Sequence, residues 1–295
     1  MDGVVVLLKP PGMTSSNAVY DVRRIFSEKR AGHLGTLDPG AAGVLPICIG
    51  RATRLFDYLV DKQKSYICEI AFGAATDTQD VFGAVVERSD KVISPEALVA
   101  VLPGFVGVQQ QEASVYSALK VGGKKMYDIA RAGGEVVPKT REITISELEM
   151  TAQTGVNRYL LRLTCSRGTY VRSLCADIGK RLNTCAHMSF LLRTASGPFS
   201  LEQANSVPEL EALRERGALA SAVVSCEEAL AFLPAVTLSS ERRRAAVNAL
   251  ETFVPGQADG PVRLYCDGFL GIGDVRGGQC KLAVHLYDRV DGGER

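Results

Sequence analysis

Residues 32–49 read GHLGTLDPGAAGVLPICI. Residues 31–43 are glycine-rich and too polar in their middle for a strand, whereas Val44 to Ile49 is a short apolar run of the kind that forms a buried strand. A loop therefore feeds a strand. The glycines invite a phosphate-loop reading, but no Gly-Lys-Ser/Thr closes the stretch, so nucleotide-loop geometry is not expected. Asp38 ahead of Pro39-Gly40 is, taken alone, favourable turn chemistry. What surrounds it decides whether it is more than a turn.

Upstream, Val4 to Leu8 reads as a strand stopped by Lys9-Pro10, and Pro10, Pro11 and Gly12 form a turn. Ser15 or Ser16 is expected to cap a helix carrying Ala18, Val22 and Ile25 on one face. The basic residues Arg23, Arg24, Lys29 and Arg30 at its end suit a solvated face near a helix C-terminus, with phosphate contact as the second reading.

Downstream, Tyr66, Cys68, Ile70 and Phe72 alternate with Ile67, Glu69 and Ala71, the period of a half-buried strand that turns Tyr66 inward. Ser94-Pro95-Glu96 opens a capped helix over 94–102. Lys120, Lys124, Lys125, Arg131, Lys139 and Arg141 then accumulate among glycines 122, 123, 133 and 134. That composition suits a loop closing on a nucleic-acid backbone, and an ordinary surface loop equally. Tyr159, Leu161, Leu163 and Cys165 alternate inward, and after Ser166-Arg167-Gly168-Thr169 comes a helix with Val171, Leu174, Cys175, Ile178 and Leu182 on one face. From about residue 233 the runs Val262 to Cys266, Phe269 to Ile272 and Lys281 to Leu286 are short and β-rich. Because strands follow strands without an intervening helix, an α+β fold with a mixed sheet is expected rather than a doubly wound one.

The chain has 295 residues, 46% of them hydrophobic, enough for a substantial core. Its 34 basic and 33 acidic residues leave a formal charge of +1, so a polyanionic partner has to be met by local clusters. Eight cysteines with no C-x-x-C and no histidine that completes a zinc-binding spacing make a metal site unexpected, and their use suggests a reducing compartment, the cytosol by default. The run Val4 to Leu8 lacks the length and basic leader of a secretory signal, and no apolar stretch nears the roughly 20 residues that cross a bilayer. Gly271-x-Gly273 is not followed by the helix a dinucleotide fingerprint needs.

The Asp38 stretch, with Lys9-Pro10-x-Gly12-x-Thr14-Ser15 before it and Arg51-Ala52-Thr53 after it, resembles the catalytic signature of the TruB family of tRNA pseudouridine synthases. The likeness continues through Lys64-Ser65-Tyr66, Thr76-Asp77-Thr78-x-Asp80, Tyr116-Ser117-Ala118-Leu119-Lys120 and Gly168-Thr169-Tyr170-Val171-Arg172. It implies the pseudouridine-synthase fold, with a mixed, mainly antiparallel sheet in a catalytic domain over 1–232 and an RNA-binding insertion over 119–145. A PUA-like RNA-binding β domain over 233–295 is implied in turn, its most telling stretch Phe269 to Val275. The same resemblance puts the catalytic aspartate on Asp38, the stacking tyrosine on Tyr66 and the active-site arginine on Arg172. His33, Tyr170 and Leu191 become substrate contacts. By composition, Lys120, Lys124, Lys125, Arg131 and Arg141 are candidates for the RNA backbone, and Arg242, Arg243 and Arg244 suit RNA phosphate and a solvated helix face comparably well. The implied substrate is the T-loop uridine at tRNA position 55, bound through the T-arm by a monomer without cofactor or metal. One departure stands out: Ala113-Ser114 takes the place of the family's usual proline pair, from which a less restricted loop is expected.

The residues make chemical sense of this. Pseudouridine formation breaks the base–sugar N-glycosidic bond, turns the base over and rejoins it through carbon, with no net redox change, and a carboxylate serves as nucleophile or base. Arg172 falls in the first turn of its helix, where a cation opposes the macrodipole and so calls for a nearby anion, Asp38 being the candidate and Asp177 the ordinary alternative. A stacked uridine has to be extruded and held against an aromatic ring, the role suited to Tyr66. Two rivals stay open: a tRNA-binding or folding module without chemistry, and a nucleoside glycosidase that releases free uracil.

Overall fold

The computed structural model of the protein describes residues 1–60, 62–112 and 140–287, and the backbone of 120–121 and 124–125. In chain order the strands of its main sheet begin with β1 (Gly3–Lys9), β2 (Ala31–His33), β3 (Ala42–Ile49) and β4 (Lys64–Phe72). A separate hairpin, β5 (Ala74–Thr76) and β6 (Val85–Arg88), follows, and then β7 (Gly107–Glu112) returns to the sheet. The short pair β8 (Lys120–Val121) and β9 (Lys124–Lys125) precedes β10 (Thr140–Gly155) and β11 (Arg158–Cys165). The sheet is completed by β12 (Ala186–Ser196), β13 (Phe199–Ser200) and β14 (Val223–Val224).

Among the described residues the spatial order is β14-β1-β3-β12-β4-β11-β10-β7, with β2 on β3 and β13 on β12. The strand pairs are antiparallel apart from β3 with β12, which run parallel through Leu192 to Ala42 and Arg193 to Gly43. The sheet is thus mixed and mainly antiparallel. That one parallel contact is tight: Gly43 has φ +116°, and a β-carbon built on it would come within 2.2 Å of the Arg193 carbonyl oxygen. Only glycine fits there.

The apolar pattern explains the layering. β1 is apolar at successive positions because both faces are covered: Val5 and Leu7 face one core, Val4 and Val6 another. The first core is closed by the helix Ser15–Phe26 through Ala18, Val22 and Ile25, and by the helix Val171–Arg181 through Leu174, Cys175 and Ile178. β4 alternates as far as Ile70, burying Tyr66, Cys68 and Ile70 between partly exposed residues, and ends with Ala71 and Phe72 both buried. Its buried set starts one step earlier than expected, at Lys64, whose ammonium donates to the carbonyls of Val60 and Lys62.

Three local expectations need correction. The first helix is capped by Thr14, whose side chain accepts from the Asn17 amide, because the Ser15 hydroxyl is already engaged with Leu37. The segment 31–43 is not all loop: Ala31–His33 pairs with β3 as strand β2, which shortens the loop to 34–41. Residues 140–145, placed within the basic insertion, belong to β10 and pair with β7.

A second sheet follows, ordered β15-β17-β18-β19-β16, from β15 (Ala235–Thr237), β16 (Thr252–Phe253), β17 (Gly260–Tyr265), β18 (Phe269–Arg276) and β19 (Gln279–His285). It has its own core, yet Ile272 and Leu286 join Val4, Val6 and Cys48 in the second core of the main sheet. All eight cysteines are free and buried. Among the described residues no helix is long and apolar enough to cross a membrane.

Candidate active site

Asp38 sits in the loop between β2 and β3, and that loop is pinned from both sides. Ser15 Oγ donates to the Leu37 carbonyl and accepts from the Leu37 amide, both at 2.9 Å. The Gly12 amide donates to Pro39 O at 2.8 Å, and the Ala41 amide closes a turn on Asp38 O at 3.0 Å. Two buried cations complete the clamp. Lys9 Nζ donates to Pro10 O and Met13 O, each at 2.8 Å, and to Pro39 O at 3.3 Å. Arg193 gives Nε to Val44 O at 2.7 Å, Nη1 to Thr36 O at 3.2 Å and Nη2 to Gly35 O at 3.4 Å. A loop with its backbone polar groups so satisfied holds one geometry.

The carboxylate meets the expected partner. Arg172 Nε lies 3.0 Å from Asp38 Oδ2; the arginine side chain is 6% exposed and the aspartate side chain 41%. The cation is therefore internal and the anion reaches the surface, as a reactive group has to. Arg172 is steadied from behind: Nη1 donates to Thr78 O at 3.1 Å and lies 3.6 Å from Asp80 Oδ2. Asp80 is fixed in turn, its Oδ1 accepting from Thr78 Oγ1 at 2.7 Å and from the Phe82 amide at 3.0 Å. Asp177, the alternative anion, pairs with Lys180 at 3.0 Å.

The other expected residues group around this centre in different ways. Tyr66 is buried on β4, in register with Arg193 of β12. Burial pushes its phenol up to about 12, with the Arg193 charge pulling the other way. Leu191, also buried, lies in register with Cys68, two residues along β4 from Tyr66. His33 is on β2, and burial, then the Arg193 charge, hold its imidazole below the usual value. Its Nδ1 is buried with no hydrogen-bond partner among the described residues, an arrangement that invites a ligand group.

Tyr170 precedes the Val171–Arg181 helix and is locked by Gln111, which accepts from its amide at 2.8 Å and donates to its carbonyl at 3.0 Å. Two guanidinium groups approach its ring, Arg141 at 5.1 Å and Arg172 at 6.0 Å from the centroid. Arg141 is thus not a loop residue: it stands on β10, donates to Gly168 O at 3.3 Å and covers the Tyr170 ring. Arg243 similarly donates to the Cys266 carbonyl. Lys120, Lys124 and Lys125 lie on the backbone of β8 and β9, whereas Arg131, the Tyr116–Leu119 motif and Ala113-Ser114 are outside the described residues.

Sequence reasoning gave no role to Lys9, Asp80, Arg193 or Gln111. Lys9 ends an apolar run and Arg193 interrupts a largely apolar strand, and a charged residue set in such a run was the available signal.

A mixed sheet presenting a loop carboxylate braced by a buried guanidinium places this protein structurally among pseudouridine synthases. A chain from an H/ACA RNP bound to a substrate RNA containing 2'-deoxyuridine superposes with TM-score 0.75 at 24% identity, covering 98% of this chain and 86% of that one. A chain of a Cbf5-Nop10-Gar1 complex gives TM-score 0.70 at 26% identity, over 92% of this chain and 78% of that one. Residues 23–171 match the N-terminal domain model of TruB family pseudouridylate synthases, and residues 172–231 the C-terminal domain model of tRNA pseudouridylate synthase B. Proteins named tRNA pseudouridine synthase B are similar over most of their length. That of Pelotomaculum thermopropionicum is 41% identical over 93% of this chain and 92% of its own, and that of Symbiobacterium thermophilum 46% over 86% and 83%. The chain belongs to the TruB family of pseudouridylate synthases.

Proposed function

We propose that this chain isomerises uridine to pseudouridine in tRNA, acting as a monomer on the T-loop uridine of the T-arm, in the cytoplasm, with Asp38 as the reacting carboxylate. The family and the names of its relatives support the reaction and the tRNA substrate. One observation carries the residue assignment: the Asp38–Arg172 pair at 3.0 Å, with the cation closed off and the anion open.

On this reading Asp38 assists cleavage of the C1′–N1 bond, the base turns over within the site, C1′ joins C5, and C5 gives up its proton while N1 takes one up. Atoms and electrons balance within one nucleotide, so no co-reactant enters. Arg172 fixes the carboxylate and supplies the local positive charge that keeps it poised. The extruded base lies against Tyr66, with His33, Tyr170 and Leu191 lining its place. The backbone of the RNA is met by the basic residues of 119–145, Lys120, Lys124, Lys125 and Arg131 among them, and by the accessory unit. Residues 1–232 form the catalytic domain and 233–295 a PUA-like RNA-binding domain.

Replacing Asp38 by Ala is expected to lower product formation on the order of 10⁴-fold while leaving tRNA affinity nearly unchanged. Carbodiimide primer extension reads the product and filter binding reads the affinity. Product formed at an undiminished rate would overturn the assignment.

A further inference from the structure

Phe82, in the turn between β5 and β6, is 74% exposed, the most exposed aromatic side chain among the described residues. It is nevertheless held in place. Its amide donates to Asp80 Oδ1 at 3.0 Å, and the amide of Val81 donates to Met188 O at 3.0 Å. Its ring lies so close over Gly40 that a β-carbon built there would come within 2.1 Å of it. Both anchors belong to the reacting centre. Asp80 is 3.6 Å from Nη1 of Arg172, the residue whose Nε meets Asp38, and Gly40 is two residues beyond Asp38 in the same loop. The contacts that fix the carboxylate also fix a flat apolar face beside it, open to solvent.

A ring so placed contributes little to the core, and its position at the mouth of the site suggests a ligand for its free face. We propose that Phe82 is a stacking platform for a nucleobase of the substrate RNA adjoining the uridine that enters the Asp38 site. The proposal rests on the reading of that site as an RNA uridine site. Extruding one uridine from a loop breaks its stacking with both neighbours and leaves an unstacked base next to the opening. An aromatic side chain replaces the lost stack for any base, since every base has a π-face. Phe82 therefore contributes to substrate capture and registration rather than to bond making.

The test uses the full chain with a T-arm stem–loop and three variants, Phe82→Ala, Phe82→Leu and Phe82→Trp. Phe82→Ala is expected to raise KM roughly tenfold with kcat within about twofold of the parent. Phe82→Leu keeps an apolar cover over Gly40 without a π-face and should behave as Phe82→Ala, while Phe82→Trp should stay near the parent. Stem–loops carrying a single abasic residue at each position flanking the uridine then locate the base. At one position the abasic substitution should weaken the parent about tenfold and leave Phe82→Ala unaffected. Phe82→Leu matching the parent would show that only the cover over Gly40 matters, and additive losses at every position would show that no base stacks there; either overturns the platform. Should the parent make no pseudouridine, the reading of the site fails instead, and filter binding of the same stem–loops to the same variants still decides the platform.

Discussion

Lys9 and Arg193 are both fully buried, and both direct their N–H groups at carbonyl oxygens around the loop that carries Asp38. Arg193→Lys retains the charge but cannot reach Gly35, Thr36 and Val44 together, so the loop loosens. A loss in kcat of roughly 10²-fold with little change in KM is expected, the signature of a misplaced reacting group in steady-state kinetics. An equal loss in Kd for tRNA would count against it. Lys9 gives a pH test. Burial pushes its ammonium down to about 8 from the usual 10.5, with the Asp38 charge pulling up and that of Arg193 adding to the fall. Between those values the unfolded chain holds the proton and the folded chain has released it, so this group's contribution to stability rises with pH across that window. Activity should move the opposite way, because a neutral amine no longer supplies charge beside Asp38. The expected kcat/KM profile has an alkaline limb near 8 that disappears in Lys9→Arg, and a limb unchanged in that variant would assign it elsewhere. The Asp38–Arg172 pair was legible in the sequence through the family motifs around both residues and through a cation in a helix first turn that calls for an anion, whereas the Asp-Pro-Gly stretch alone reads as an ordinary turn. Lys9 and Arg193 were not, because charge is visible in a sequence and burial is not.

At the scale of elements, Glu69 braces the main sheet where β4 has an open face. It accepts from Arg158 of β11 at 2.6 and 3.1 Å, from Thr154 of β10 at 2.6 Å, and from Ser189 of β12. Burial works to raise its pKa, but the donors, Arg158 first, outweigh it and hold the carboxyl at about 2 against the usual 4.5. A depressed carboxylate stabilises fully above 4.5, and that contribution fades as pH falls through the window down to about 2. Glu69→Gln is expected to cost about 1.5–3 kcal/mol at neutral pH and much less at pH 2.5, read from urea unfolding. The same cost at both pH values would show that shape rather than charge is at work. The strands themselves were readable: the alternation at Tyr66 to Phe72 and Tyr159 to Cys165 follows from one buried face. Strand β2 was missed because Ala31, Gly32 and His33 have no periodicity and pair only by lying along β3. The cap was displaced by one residue because Ser15 is drawn to Leu37, 22 positions away, a partner no local pattern reveals.

At the scale of the molecule, the second sheet covers an apolar face that the first cannot bury alone. The short β runs after residue 233 announced that sheet, but its docking depends on which side chains of β1 and β3 face outward, and those two-sided strands read as uniformly apolar. Ile272 and Leu286 pack with Val4, Val6 and Cys48. Around them Arg51 bonds the Tyr287 carbonyl and pairs with Asp2 at 2.6 Å, and Arg54 donates to His285 O at 3.0 Å. A shared core of this kind couples the two sheets, so thermal unfolding is expected as one cooperative calorimetric transition rather than two. Ile272→Ala removes a wholly buried side chain from the shared core and should cost about 2–5 kcal/mol. Its whole effect should appear as a downward shift of that one transition, with the Asp38 chemistry intact at temperatures below it. If the variant instead resolves a low-temperature transition for the second sheet while the first melts where it did, the sheets are energetically separate, and the contact at Ile272 is adhesion between two independently stable units.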